Sequence, residues 1–189
     1  MRIVAGRHRG RRIEAPPGRA VRPTSDRVRE SVFNILVHGD LVPGGLDGAR
    51  VVDLFAGTGA MGLEALSRGA AHAVFVERDP GVARVLQRNL AALKEDARAT
   101  VLARDATRPG GRVGLPATLA FLDPPYGKGL AGPALEALLA GAWLADDALA
   151  VVELSARDGF DPPAGFAEVD RRRYGTTVVV MLRRATATL

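Results

Sequence analysis

The sequence predicts an α/β fold built on a doubly wound, mainly parallel sheet. From Arg50 onward, short apolar runs alternate with stretches of helical spacing. A glycine series marks the first strand-to-helix junction of that pattern. The chain has 189 residues, 47% hydrophobic and 25% charged, enough for one domain with a full core.

Taken in order, Arg2–Ala5 and Arg11–Glu14 alternate in polarity around the glycine-containing Gly6–Gly10, which predicts a β-hairpin. Pro16-Pro17-Gly18 breaks regular structure. Ser25 is placed to cap a helix carrying Asp26 and Glu30 early and Val28, Val32, Ile35 and Leu36 at helical spacing, ending near Gly39. The loop Val42–Gly48 reads as a hinge, dividing a basic hairpin-and-helix extension (residues 1–45) from the main body (46–189).

In that body, strands are expected at Val51–Phe55, Ala73–Glu77, Ala99–Leu102, Leu119–Asp123 and Leu149–Leu154. Helices are expected at Met61–Arg68, Pro80–Lys94 and Pro133–Leu144, the second opened by its proline. Ala167–Arg173 and Thr176–Leu182 read as a closing antiparallel hairpin.

Composition excludes several classes of function. Without cysteine there are no disulfides, thiolate metal sites or thiol nucleophiles, and no metal site is expected. Met1-Arg2-Ile3-Val4-Ala5-Gly6 gives way to arginines, not to a long apolar run, and no stretch is long and apolar enough to span a bilayer. A cytoplasmic protein without membrane contact is therefore expected, and a monomer, since no surplus apolar surface is evident. Of the net charge of +5, residues 1–36 carry nine arginines against three acids, a net +6. A basic arm on a near-neutral body is the footprint of a protein that meets phosphates, although an arginine-rich solvated surface gives the same count.

Two motifs carry chemistry. Asp53-Leu54-Phe55-Ala56-Gly57-Thr58-Gly59-Ala60-Met61-Gly62 is a G-x-G-x-x-G turn between strand and helix, where bare backbone lets a ligand approach closely. Glu77 ends the next strand, where a carboxylate can accept bonds from ribose hydroxyls, and Asp105-Ala106 follows the third. A dinucleotide and S-adenosylmethionine both suit such a turn. Asp53 favours the latter, because it places an anion where a cationic amino group is welcome and a pyrophosphate is not.

The second motif, Asp123-Pro124-Pro125-Tyr126, follows the apolar Ala120–Leu122 directly. Proline lacks an N–H, so the loop offers carbonyl oxygens beside the Asp123 carboxylate without competing donors. That grouping suits an exocyclic amine, whose two hydrogens it would hold while the lone pair turns toward an incoming methyl group. Tyr126 is placed to stack on an extruded base.

With Arg22-Pro23-Thr24-Ser25-Asp26-Arg27-Val28-Arg29-Glu30-Ser31-Val32-Phe33-Asn34 and Tyr174-Gly175-Thr176, these motifs resemble, over nearly the whole chain, the RsmD-type family of bacterial 16S ribosomal RNA guanine-N2 methyltransferases. The resemblance implies a Rossmann-like class I methyltransferase fold: a seven-stranded, mostly parallel sheet with an antiparallel C-terminal hairpin and a small N-terminal extension. It implies S-adenosylmethionine as cofactor, with Asp53, Gly57 and Gly59 at the methionine end, Glu77 at the ribose, Asp105 and Ala106 at the adenine, and Phe55 and Arg78 beside them. Asp123, Pro124, Pro125 and Tyr126 would hold the target guanine. Arg7, Arg9, Arg11, Arg12, Arg22, Arg27 and Arg29 would grip small-subunit ribosomal RNA, free or assembled into a 30S particle, with Arg171–Arg173 as further candidates.

Three other readings compete. An adenine-N6 methyltransferase acting on DNA or RNA shares both motifs, but the two strands and one helix between them leave no room for a target-recognition domain. A nicotinamide oxidoreductase explains the glycine turn and Glu77 but leaves Asp123–Tyr126 without a role, and none of His8, His38 and His72 is placed for proton transfer. An RNA-binding module without chemistry would bind no S-adenosylmethionine.

Overall fold

The computed structural model describes residues 1–16 and 26–185. Helix α1 spans Asp26–His38, and β1 (Arg50–Leu54) opens an alternation that continues through α2 (Ala60–Ser67), β2 (His72–Val76), α3 (Pro80–Leu93), β3 (Ala99–Leu102), β4 (Ala117–Leu122), α4 (Ala131–Ala140) and β5 (Leu144–Ser155). The chain closes with β6 (Phe166–Tyr174) and β7 (Thr177–Arg184). The seven strands form one sheet in the order β3-β2-β1-β4-β5-β7-β6. The first five run parallel; β7 pairs antiparallel with both β5 and β6.

Burial on both faces explains the near-continuous apolar strands. Successive residues point to opposite sides, so Val51, Phe75, Phe121 and Val151 enter one core, while Val52, Val76, Leu122 and Val152 enter the other. The first core is completed by α1, α2 and α3, the second by α4 with Trp143 and Phe166. Helix α3 starts as expected: Asp79 accepts from the N–H groups of Gly81 and Val82, with Pro80 in the first turn. Helix α4 stops earlier than expected, at Gly141, while β5 extends back to Leu144 through the exposed Asp146 and Asp147.

The amino-terminal extension does not hang from a hinge. Ile3, Ile13 and the buried face of α1 belong to the first core, and so do Val42 and Leu46 of the expected hinge loop. The expected hairpin is reduced to a single antiparallel bridge, Arg2 with Arg12, closed by hydrogen bonds from Ile3 N to Arg11 O (2.9 Å) and from Gly10 N to Ile3 O (2.8 Å). The Glu64 carboxylate of α2 accepts the N–H groups of Val4 (2.7 Å) and Ala5 (3.0 Å), and Glu95 pairs with Arg7, His8 and Arg98. The expected cap Ser25, the breaker Pro17-Gly18 and Arg22 lie outside the described residues. Among the described residues no helix is long and apolar enough to cross a membrane.

Candidate active site

Register aligns the site. Leu54 pairs with Val76 and with Leu122, and Leu122 pairs with Val152. The residues that follow these partners, Glu77, Phe55, Asp123 and Glu153, therefore stand in a row at the carboxyl edge of four neighbouring strands. Strand order reverses between β1 and β4, and a crevice opens at that edge, where open α/β sheets bind ligands.

A cleft of about 560 Å³ occupies the crevice. Phe55, Glu77, Arg78, Asp105 and Ala106 border it on one side and Asp123, Pro124, Pro125 and Tyr126 on the other, so both motifs share one cavity. Glu153 of β5 and Thr176 and Thr177 of the closing hairpin complete the wall. None of these three was a sequence candidate. A lone carboxylate in the apolar run Leu149–Leu154 was the available signal for Glu153; its place in the row became visible only with the register.

Asp53, Gly57 and Gly59 do not line the cleft; they frame it. Helix α2 begins at Gly59, which brings no capping side chain, and Asp53 Oδ2 supplies the missing acceptor by taking the Gly62 N–H at 2.9 Å. Asp53 is only 3% exposed, and burial lifts its carboxyl to about 8, partly offset by the Gly62 bond and reinforced by the Glu77 charge. Gly59 and Gly62 leave no room for a side chain. Gly59 has φ 84°, and a Cβ there would meet Leu86 at 2.3 Å; one on Gly62 would meet the Phe75 ring at 2.3 Å. Phe55 holds φ 58° without glycine's freedom, a strained conformation of the kind found where a ligand is clamped.

The carboxylates are oriented by backbone. Glu77 takes the Gly57 N–H on Oε2 (3.0 Å) and the Asp79 N–H on Oε1 (2.8 Å), fixing its plane beside the glycine turn. Asp105 accepts both the N–H and the hydroxyl of Thr107, which hold its carboxyl below the usual range. The Tyr126 hydroxyl donates to Glu153 Oε1 at 2.9 Å and lies 3.3 Å from Thr177 Oγ1. Burial pushes that phenol up to about 12, so it remains a donor at any working pH.

The expected RNA contacts divide. Arg9, Arg11, Arg12 and Arg27 are exposed; Arg7 is 46% exposed while paired with Glu95 at 3.0 Å. Arg29 corrects the sequence reading. It is fully buried, bonds to the Arg2 carbonyl and to Asp26, and sits 3.7 Å from Glu64, so it braces the fold and does not reach a ligand. Among Arg171–Arg173, Arg171 is engaged by Glu168 and Arg172 by Asp170.

A family model described as conserved hypothetical protein 95 matches residues 1–183. Ribosomal RNA small subunit methyltransferase D of Escherichia coli is 42% identical over 159 residues, 84% of this chain and 77% of that protein. The chain belongs to the RsmD-type methyltransferase family. The Haemophilus influenzae protein of the same name is 37% identical over 158 residues, 81% of this chain and 78% of its own. A solved Escherichia coli structure described as a methyltransferase, yhhF, superposes with a TM-score of 0.82 at 37% identity and covers 97% of both chains. The sheet of this RsmD-type chain is accordingly that of the class I methyltransferases, and its cofactor is S-adenosylmethionine. The cleft fits that group: it offers oriented carboxylates at the ends of β2 and β3, apolar surface at Phe55 and Ala106, and room for a nucleoside-sized ligand.

Proposed function

We propose that this RsmD-type chain methylates the exocyclic N2 amine of a guanine in small-subunit ribosomal RNA. One observation carries the reading: the Asp123–Tyr126 loop faces the Glu77–Asp105 side across a single cleft. The names of the Escherichia coli and Haemophilus influenzae relatives support the RNA class.

In this reading Glu77 takes the ribose hydroxyls of the cofactor, and Asp105 with Ala106 takes its adenine. Phe55 and Arg78 close over it, and the turn held by Asp53, Gly57 and Gly59 receives the methionine end. Bound there, S-adenosylmethionine supplies an electrophilic methyl group without need of a metal. The protein orients the other reactant. Asp123 and the carbonyls of its proline loop accept the two amine hydrogens, which aims the nitrogen lone pair and stabilises the positive charge that develops on it. Tyr126, anchored through its hydroxyl to Glu153, offers a fixed ring on which an extruded base stacks. Its raised pKa keeps the anchoring proton in place. Arg9, Arg11, Arg12 and Arg27, with the partly engaged Arg7 and with Arg22, contact phosphates. The substrate is small-subunit ribosomal RNA, free or in an assembled or partly assembled 30S particle, engaged by a monomer.

Incubation with radiolabelled S-adenosylmethionine and small subunits from cells lacking the endogenous enzyme tests this. N2-methylguanosine is the expected labelled product. Label in N6-methyladenine, or in DNA alone, overturns the guanine reading.

A further inference from the structure

We infer, on the guanine reading above, that Glu153 selects the base: its carboxylate accepts the guanine N1–H while Asp123 holds the N2 amine. Glu153 follows Val152 in β5, and the partner of Val152, Leu122, precedes Asp123. The two carboxylates thus leave adjacent strands at one level, about 4.8 Å apart at the backbone. Both border the main cleft, and both back onto a hollow of about 20 Å³ walled by Val32, Met61 and Val151.

The orientation of Glu153 is tied to the base platform. Its Oε1 accepts from the Tyr126 hydroxyl, so the ring that stacks on the base and the carboxylate beside it are fixed as one unit. Guanine presents the N2 amine and N1–H as adjacent donors along one edge, and two neighbouring carboxylates are the complement of that edge. Adenine presents its amine beside a bare N1 acceptor. With the adenine amine on Asp123, a Glu153 oxygen would face a lone pair, and an acceptor covered by the base without a donor is costly. The closest rival base is therefore refused by a residue outside the Asp-Pro-Pro-Tyr motif.

The test uses small subunits reconstituted with ribosomal RNA carrying 2-aminopurine at the methylated position. This base keeps the N2 amine but has an acceptor at N1. Single-turnover rates are compared for guanine and 2-aminopurine particles, with calorimetric S-adenosylmethionine binding and melting temperature as controls for folding. Wild type should favour guanine by roughly 10–100-fold. Glu153→Gln retains an oxygen for Tyr126 and sets an amide N–H opposite N1, so the preference should collapse or invert toward 2-aminopurine. Tyr126→Phe releases the carboxylate that its hydroxyl orients, so it should slow both substrates and lower their ratio without inverting it. Two results overturn the inference: equal wild-type rates on the two bases, or a wild-type ratio in Glu153→Gln. In each of these, N2-methylguanosine from wild type leaves the proposed function standing, whereas its absence removes both.

Discussion

Asp123 and Asp53 are both acids at the end of a parallel strand, yet their surroundings set them to different work. Asp123 reaches the cleft, so Asp123→Ala should retain S-adenosylmethionine binding by calorimetry while turnover falls on the order of 10²–10³-fold, the loss typical when one aimed electrostatic contact is removed. Asp53 is turned inward, and burial raises its pKa from 3.8 to about 8. Its protonated form is therefore favoured by folding, and this stabilisation is complete below about pH 4 and lost as pH rises toward 8. Asparagine imitates the protonated state and can still accept from Gly62. Melting curves from pH 4 to 8 should show Asp53→Asn gaining on wild type as pH rises; a constant difference would contradict the ionisation of a buried Asp53.

At the level of elements, the turn between β1 and α2 depends on close approach. Gly62→Ala would drive a methyl group into Phe75, an overpacking cost of about 1–3 kcal/mol visible as a lowered denaturant midpoint. Strands and helices were legible from sequence because burial on both faces leaves long apolar runs, and because Gly59 and Pro80 mark element ends. Fine structure was less legible where local signals and pairing disagree. Asp146 and Asp147 read as a loop, yet β5 carries them as an exposed stretch before the buried run that pairs with β4 and β7. The site was half visible. Asp123–Tyr126 is contiguous and chemically distinctive, whereas Glu153 acquires meaning only beside Asp123, thirty residues away. Arg29 is misleading for the same reason: a charge count records no burial, and of the two acids beside it, Asp26 and Glu64, the second stands on another helix.

Over the whole molecule, the arginines of the extension separate into contact and brace. Arg9→Ala and Arg12→Ala should each lower the slope of log affinity against log salt by about 0.7–0.9 if each meets one phosphate, with the melting temperature unchanged. Arg29→Ala should do the reverse: an unaltered slope, and a stability loss of about 2–3 kcal/mol. That is below the ~3–5 kcal/mol of a fully orphaned buried charge, because Glu64 keeps Arg68 and two backbone N–H groups. The brace also imposes an order on assembly. Val4 waits for Glu64, Glu14 for Asn89 and His8 for Glu95, partners 60, 75 and 87 residues downstream. A chain emerging from its amino end must hold this basic segment unmoored until α3 has been synthesised, and seating it closes the longest loops in that half of the fold. The segment thus acts as a latch that fastens late, and loosening it should quicken unfolding far more than it slows folding.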